Sequence, residues 1–101
     1  MPIRVVQYGL GPIGIESARI VLQKKAHLEL VGAIDIDPNK AGKDVAEVLG
    51  LGEPTGVLIS ADARKTFSET KPDVVLHTTS SFLDVVHDQL CEILAAGIRI
   101  V

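Results

Sequence analysis

Cysteine occurs only once in the 101 residues, as Cys91, so the chain can close no internal disulfide and reads as a protein of a reducing, cytoplasmic compartment. Tryptophan is absent and there are only one tyrosine and two phenylalanines, too few to stack on a run of nucleic-acid bases. Basic residues never stand more than two together, as Lys24-Lys25 and Arg64-Lys65, and the net charge is −3. No basic face is therefore expected, and nucleic acid is not an expected partner. No apolar run is long enough for a membrane span, and the N-terminus has no charged-then-apolar leader pattern, so a membrane is not expected either. Internal repeats and low-complexity tracts are also missing. What remains is an ordinary globular composition, 47% hydrophobic and 23% charged, at a length that suits one domain spanning residues 1–101.

Strand-like and helix-like segments alternate along that length. Residues 3–7, carrying the β-branched Ile3, Val5 and Val6, read as a short strand expected to be buried on both faces. Pro12 follows where a first helical position would fall, and apolar residues at helical spacing run on to about residue 25. Residues 28–34 read as a second strand ending at Asp35. The turn-rich "DPNKAG" leads to a short helix over 43–49, closed by Gly50 and Gly52. A third strand is expected over 57–59, and a helix capped by Ser60 or Asp62 runs to about Thr70, before Pro72. Residues 73–77 give a fourth strand and "TTSS" a polar loop. An amphipathic helix carrying Phe82, Val85, Val86, Leu90, Ile93 and Leu94 then ends at Gly97, and 98–101 form a fifth strand. The order βαβαβαβαβ with short links predicts an α/β fold of Rossmann type, a doubly wound parallel sheet of order 3-2-1-4-5. The chain stops in or just after a buried strand, so we read it as the first domain of a longer polypeptide.

The glycines Gly9, Gly11 and Gly14 give the spacing G-x-G-x-x-G between the first strand and its helix. That context is the one in which the motif binds a dinucleotide: Gly9 for the tight turn, Gly11 for close approach of the pyrophosphate, Gly14 for close packing of helix on strand. Phosphate would sit at the positive helix N-terminus. Pro12 has no N–H to offer, which leaves Leu10, Gly11 and Ile13 as donors. The bland alternative is a tight strand-to-helix turn and nothing more.

Asp35 lies 21 positions after Gly14, close to the spacing expected of an acid that binds the adenosine ribose. A carboxylate there favours NAD over NADP. Asp37 is a possible substitute, and Lys40 and Lys43 are near enough in sequence to meet a 2′-phosphate. In an open parallel sheet the ligand lies where strand order reverses, between strands one and four, which brings Thr78, Thr79 and Ser80 to the same crevice. Those residues either touch the cofactor or, with Ser81, cap the next helix. His27 and His87 have no metal-ligand partners in sequence, and Cys91 fits buried packing. His77, at the end of strand four, is the histidine closest to the crevice. No catalytic residue and no metal site can be assigned.

Together "IRVVQYGLGPIG", "LVGAIDIDPNKAGKDV", "KPDVVLHTTSSFL" and "AAGIRIV" resemble the N-terminal domain of the dihydrodipicolinate reductase-like proteins, with a pattern closest to the 2,4-diaminopentanoate dehydrogenases. The resemblance covers essentially the whole chain. It implies an NAD(P)-binding domain joined to a second domain that binds an amino-acid-like substrate and completes a homo-oligomer. It also implies hydride transfer between nicotinamide and an amine-bearing or imine carbon, with proton-transfer groups in the second domain, so that residues 1–101 alone would be inactive. By position, Gly9, Gly11 and Gly14 carry over as the phosphate loop, Asp35 as the ribose acid and Thr78, Thr79 and Ser80 as the loop near the nicotinamide ribose. Rossmann domains host other functions. A non-catalytic nucleotide-binding or redox-sensing module would use the same pocket, and a CoA-binding domain is disfavoured by Asp35 beside a 3′-phosphate.

Overall fold

The computed structural model describes residues 2–24, 26–78, 89 and 99–100. Strand β1 is Ile3–Tyr8, one residue longer than expected, and helix α1 is Pro12–Gln23 with Pro12 in its first turn. Strand β2 is Leu28–Ile34, helix α2 Val45–Leu49, strand β3 Ile59–Ser60, helix α3 Ala63–Thr70, strand β4 Val74–His77 and strand β5 Arg99–Ile100. The amphipathic helix expected after the "TTSS" loop, with Cys91 and His87, lies outside the described residues.

All strand pairings are parallel. Strand β1 pairs with β2 on one side and β4 on the other; β3 adds to β2, and β5 to β4. This is a Rossmann-like α/β sheet with helices on both faces, the arrangement that short βαβ links favour. Between β1 and β2 the register shifts once: Val5 lies opposite Leu30 but Val6 opposite Gly32, so Val31 is an extra residue on β2.

Each face has its own core. Val5, Leu10, Ala18, Val21, Leu30, Ala33, Val45, Leu49 and Ile59 pack where α1 and α2 cover the sheet. Val6, Tyr8, Ile34, Ala63, Phe67 and Val75 pack under α3. Fully burying side chains of this size is worth roughly 1.5–3 kcal/mol each, which drives the helices onto both faces. The Tyr8 ring is central to the second core, with its centroid 6.2 Å from Phe67 and 5.2 Å from His77. Arg4 fastens the far end of the sheet, its guanidinium donating to Thr70 O at the C-terminus of α3 (2.6 Å).

The third strand departs from expectation. Residues 57–58 were expected to pair with β2, but Leu58 bridges antiparallel to Asp44, Val45 N donates to Val57 O, and Ile59 N donates to Lys43 O. The backbone before β3 is engaged by the segment entering α2, so β3 begins at Ile59. Helix α2 correspondingly starts at Val45, two residues later than expected, because Asp44 caps it by accepting from Ala46 N. Asp62, one of the two expected caps of α3, accepts from Lys65 N.

Candidate functional site

The three glycines of the turn after β1 have three different settings. Gly9 has φ +105°, backbone that other residues rarely adopt, and its N–H donates to Ile34 O (2.8 Å). Gly11 caps α1 with an extended backbone, and a Cβ placed on it would meet nothing within 4 Å. Gly14 is the opposite case: a Cβ there would fall 2.0 Å from Gly9 O and 2.8 Å from Thr78 Oγ1. The first turn of α1 contains no acidic side chain to occupy its positive end. Among the described residues the N–H groups of Gly11, Ile13 and Gly14 have no acceptor, while Pro12 has none to give. Ile13 is 72% exposed and Ile36, the neighbour of Asp35, is 74% exposed, so apolar surface flanks these donors.

Leu10 differs from expectation. Its N–H, expected to be free for phosphate, donates to Asp35 Oδ2 (2.8 Å), and its carbonyl accepts from Lys40 Nζ (2.6 Å). Asp35 Oδ1 accepts from Asp37 N (2.9 Å). Asp35 therefore anchors the glycine turn and the 35–37 turn together. A carboxylate has about four lone-pair sites, so two backbone donors still leave room for ribose hydroxyls. Asp37, the alternative acid, accepts from Asn39 N (2.9 Å) and shapes its own turn. Lys40 is held on the glycine turn by its Nζ bond to Leu10 O, the only side-chain bond it makes among the described residues, and the Lys43 side chain makes no hydrogen bond or ion pair among them.

Thr78, at the end of β4, stands beside the glycine turn, as the crevice argument requires. Its N–H donates to Tyr8 O (2.9 Å) and its hydroxyl donates to Gly9 O (3.2 Å). Its proton is thus directed into the turn and its oxygen keeps an acceptor site. Thr79 and Ser80 lie outside the described residues. The ring of His77 packs on Tyr8 and its Nε2 lies 2.7 Å from Gln89 Oε1, which accounts for it as a packed, hydrogen-bonded histidine. Among the described residues no cluster of histidine, cysteine and acids could hold a metal, and no helix is long and apolar enough to cross a membrane.

One site residue went unnoticed in the sequence. Gln7 is completely buried on β1, and its Nε2 reaches both Gly9 O (3.0 Å) and Thr78 Oγ1 (3.0 Å). The available signal was a polar residue inside an apolar run.

With the geometry in view, comparison with known proteins finds likeness to reductases and dehydrogenases. A 4-hydroxy-tetrahydrodipicolinate reductase of Mastigocladus laminosus is 36% identical over 105 aligned positions, which cover 97% of this chain. The likeness is to the dihydrodipicolinate reductases. The chain spans 37% of that relative's length. An amine dehydrogenase from Mycobacterium smegmatis superimposes with a TM-score of 0.92 at 34% identity, over 99% of this chain and 29% of its own. The Rex-family repressor RSP, solved with β-NAD+ and operator DNA, shares the fold (TM-score 0.74) at 19% identity, over 98% of this chain and 42% of its own. No protein-family model matches.

Proposed function

We propose that residues 1–101 form the nicotinamide dinucleotide-binding domain of a dihydrodipicolinate reductase-like oxidoreductase. The observation that carries the reading is the first turn of α1: N–H groups of Gly11, Ile13 and Gly14 with no acceptor among the described residues, no acidic side chain, and open space over Gly11. That is a receptor for a pyrophosphate, and the donor set fits it even with Pro12 in the turn. The reading takes the sheet as doubly wound in the order 3-2-1-4-5, so that the crevice opens between β1 and β4. Asp35 would hold the adenosine ribose and Thr78, with Thr79 and Ser80, would face the nicotinamide half. The dinucleotide supplies a hydride donor or acceptor when bound. The chain's own part is to bind and orient it, through the helix N-terminus, the carboxylate and the hydroxyl.

The carboxylate of Asp35 favours NAD, because a 2′-phosphate beside it would be repelled. The ammonium of Lys40, held on Leu10 O, moderates that preference, so NADP is the weaker ligand rather than an excluded one. For the whole protein we propose hydride transfer at an amine-bearing or imine carbon of an amino-acid-like substrate, in the manner of a 2,4-diaminopentanoate dehydrogenase. The reductase and amine dehydrogenase relatives both support chemistry of this kind. Substrate binding, proton transfer and homo-oligomer contacts would come from a second domain. The negative net charge and single cysteine support a cytoplasmic enzyme with no nucleic-acid partner.

Calorimetric titration of the chain with NADH, NADPH and CoA tests the first step. NADH is expected to bind most tightly, NADPH less so, and CoA not at all; a folded chain that takes up none of the three refutes the dinucleotide reading.

A further inference from the structure

Beneath the glycine turn lies a side chain that no proposed ligand contact uses. Gln7 is fully buried, and a primary amide in such a place needs partners for two protons and an acceptor. Three oxygens crowd its Nε2: Gly9 O and Thr78 Oγ1 at 3.0 Å and Leu76 O at 3.4 Å. Its Oε1 has no partner among the described residues. The donor end alone therefore fixes the amide, since turning it over would set Oε1 against the Gly9 and Leu76 carbonyl oxygens. Gly9 O in turn accepts from both Gln7 and the Thr78 hydroxyl, and it is the atom nearest to the absent Cβ of Gly14.

We propose that Gln7 is a positioning residue for the dinucleotide site, an assignment that rests on the function proposed above. It ties the turn after β1 to the loop after β4 and so sets the spacing of the two walls of the crevice. It also keeps the Gly9 carbonyl turned into the protein. The reason is electrostatic: that oxygen, swung toward the ligand, would present the negative end of a peptide dipole to a pyrophosphate. The unpaired Oε1 agrees with such a role, because buried acceptors without partners are rare and call for an explanation beyond packing. Methionine would fill the same space without leaving an acceptor unpaired.

Gln7→Met is therefore the informative variant. Its thermal midpoint is expected to equal or exceed that of the unaltered chain, while its dissociation constant for NADH, read by fluorescence titration, rises about tenfold for the loss of the amide's bonds. Without any ligand, hydrogen exchange at the Gly9 and Leu10 amides, bonded to Ile34 O and Asp35 Oδ2, is expected to quicken. Unchanged NADH affinity with unchanged exchange overturns the proposal. A fall in thermal midpoint with unchanged exchange also overturns it, since Gln7 would then be core packing alone. If Gln7→Met does not fold, Thr78→Val decides: faster exchange at the same two amides supports the tie, and unaltered exchange refutes it. Failure of the unaltered chain to bind NADH removes the function proposed above, whereas the exchange measurement judges the tie by itself.

Discussion

Replacing Gly14 with alanine sets two effects of opposite sign against each other. In a helix interior, glycine to alanine normally gains about 1 kcal/mol. Here the new Cβ would lie 2.0 Å from Gly9 O and 2.8 Å from Gly9 C, both backbone atoms that no rotamer change can move aside. Overpacking costs typically 1–3 kcal/mol, and an overlap this deep belongs at the upper end of about 3 kcal/mol. The net expectation is a loss of about 2 kcal/mol, set by the difference between those two terms. At roughly 4–8 °C per kcal/mol for a chain of this size, the thermal midpoint should drop by about 8–16 °C. Circular dichroism melts measure this directly. A Gly14→Ala chain as stable as the original, or more stable, would refute the close approach of α1 to the Gly9 peptide. Gly11→Ala is the matched control. Nothing within 4 Å opposes its Cβ, so it should cost no more than about 1 kcal/mol as a helix cap yet weaken NADH binding, because the new methyl group stands where the pyrophosphate would lie.

Asp35→Ala removes the acceptor for the Leu10 and Asp37 N–H groups, so it should lower stability by about 1–3 kcal/mol and weaken NADH binding while narrowing its margin over NADPH; equal margins before and after would shift the ribose role to Asp37. Lys40→Ala should weaken NADPH more than NADH in the same titrations, and an equal loss for both would make Lys40 only a tether of Leu10 O. The Asp44 carboxyl is held at about 2, below its ordinary 3.8, chiefly by the Ala46 N–H, then by the Thr55 hydroxyl; desolvation opposes them, and the N–H groups of Thr55 and Gly56 add smaller lowering effects. A lowered folded value means that its stabilisation is present above 3.8 and lost as pH falls through about 2, so acid denaturation between those values should be shallower in Asp44→Asn; identical slopes would show that Asp44 does not anchor this loop.

Local chemistry made much of the fold legible. The apolar run over 28–34 is β2 residue for residue, and Pro12 marked the first turn of α1 because its fixed φ and missing N–H suit that position. Asp62 was one of two hydroxyl or acid caps that the sequence left open for α3. What sequence could not show is set by partners far along the chain. The start of β3 depends on the antiparallel bridge from Leu58 to Asp44, and Asp44 itself reaches Thr55 and Gly56, 11 and 12 residues away. Within the candidate site, the glycine spacing and the acid after β2 were readable as a pattern. The use of the Leu10 N–H by Asp35 was not, since it depends on how the end of β2 lies beside the turn. Gln7 showed in the sequence only as a polar residue in a strand, and its role did not, because its partners, Gly9 O and Thr78 Oγ1, come from two different loops.

The extra residue on β2 bears on that acid. Side chains along a strand alternate between faces, yet Leu30 and Ala33, three apart, both lie in the core beneath α1 and α2. Val31, unpaired with β1, absorbs the odd step and reverses the alternation for everything downstream. It also draws the end of β2 back along β1 by one residue, about 3.3 Å, so that Ile34 stands level with Tyr8 and Asp35 with the glycine turn. One of the 21 positions separating Gly14 from Asp35 is therefore consumed sideways rather than lengthwise. A homologue lacking that residue would have to place its acid one position earlier to reach the same spot, and an alignment that counts spacing alone would then assign the wrong carboxylate.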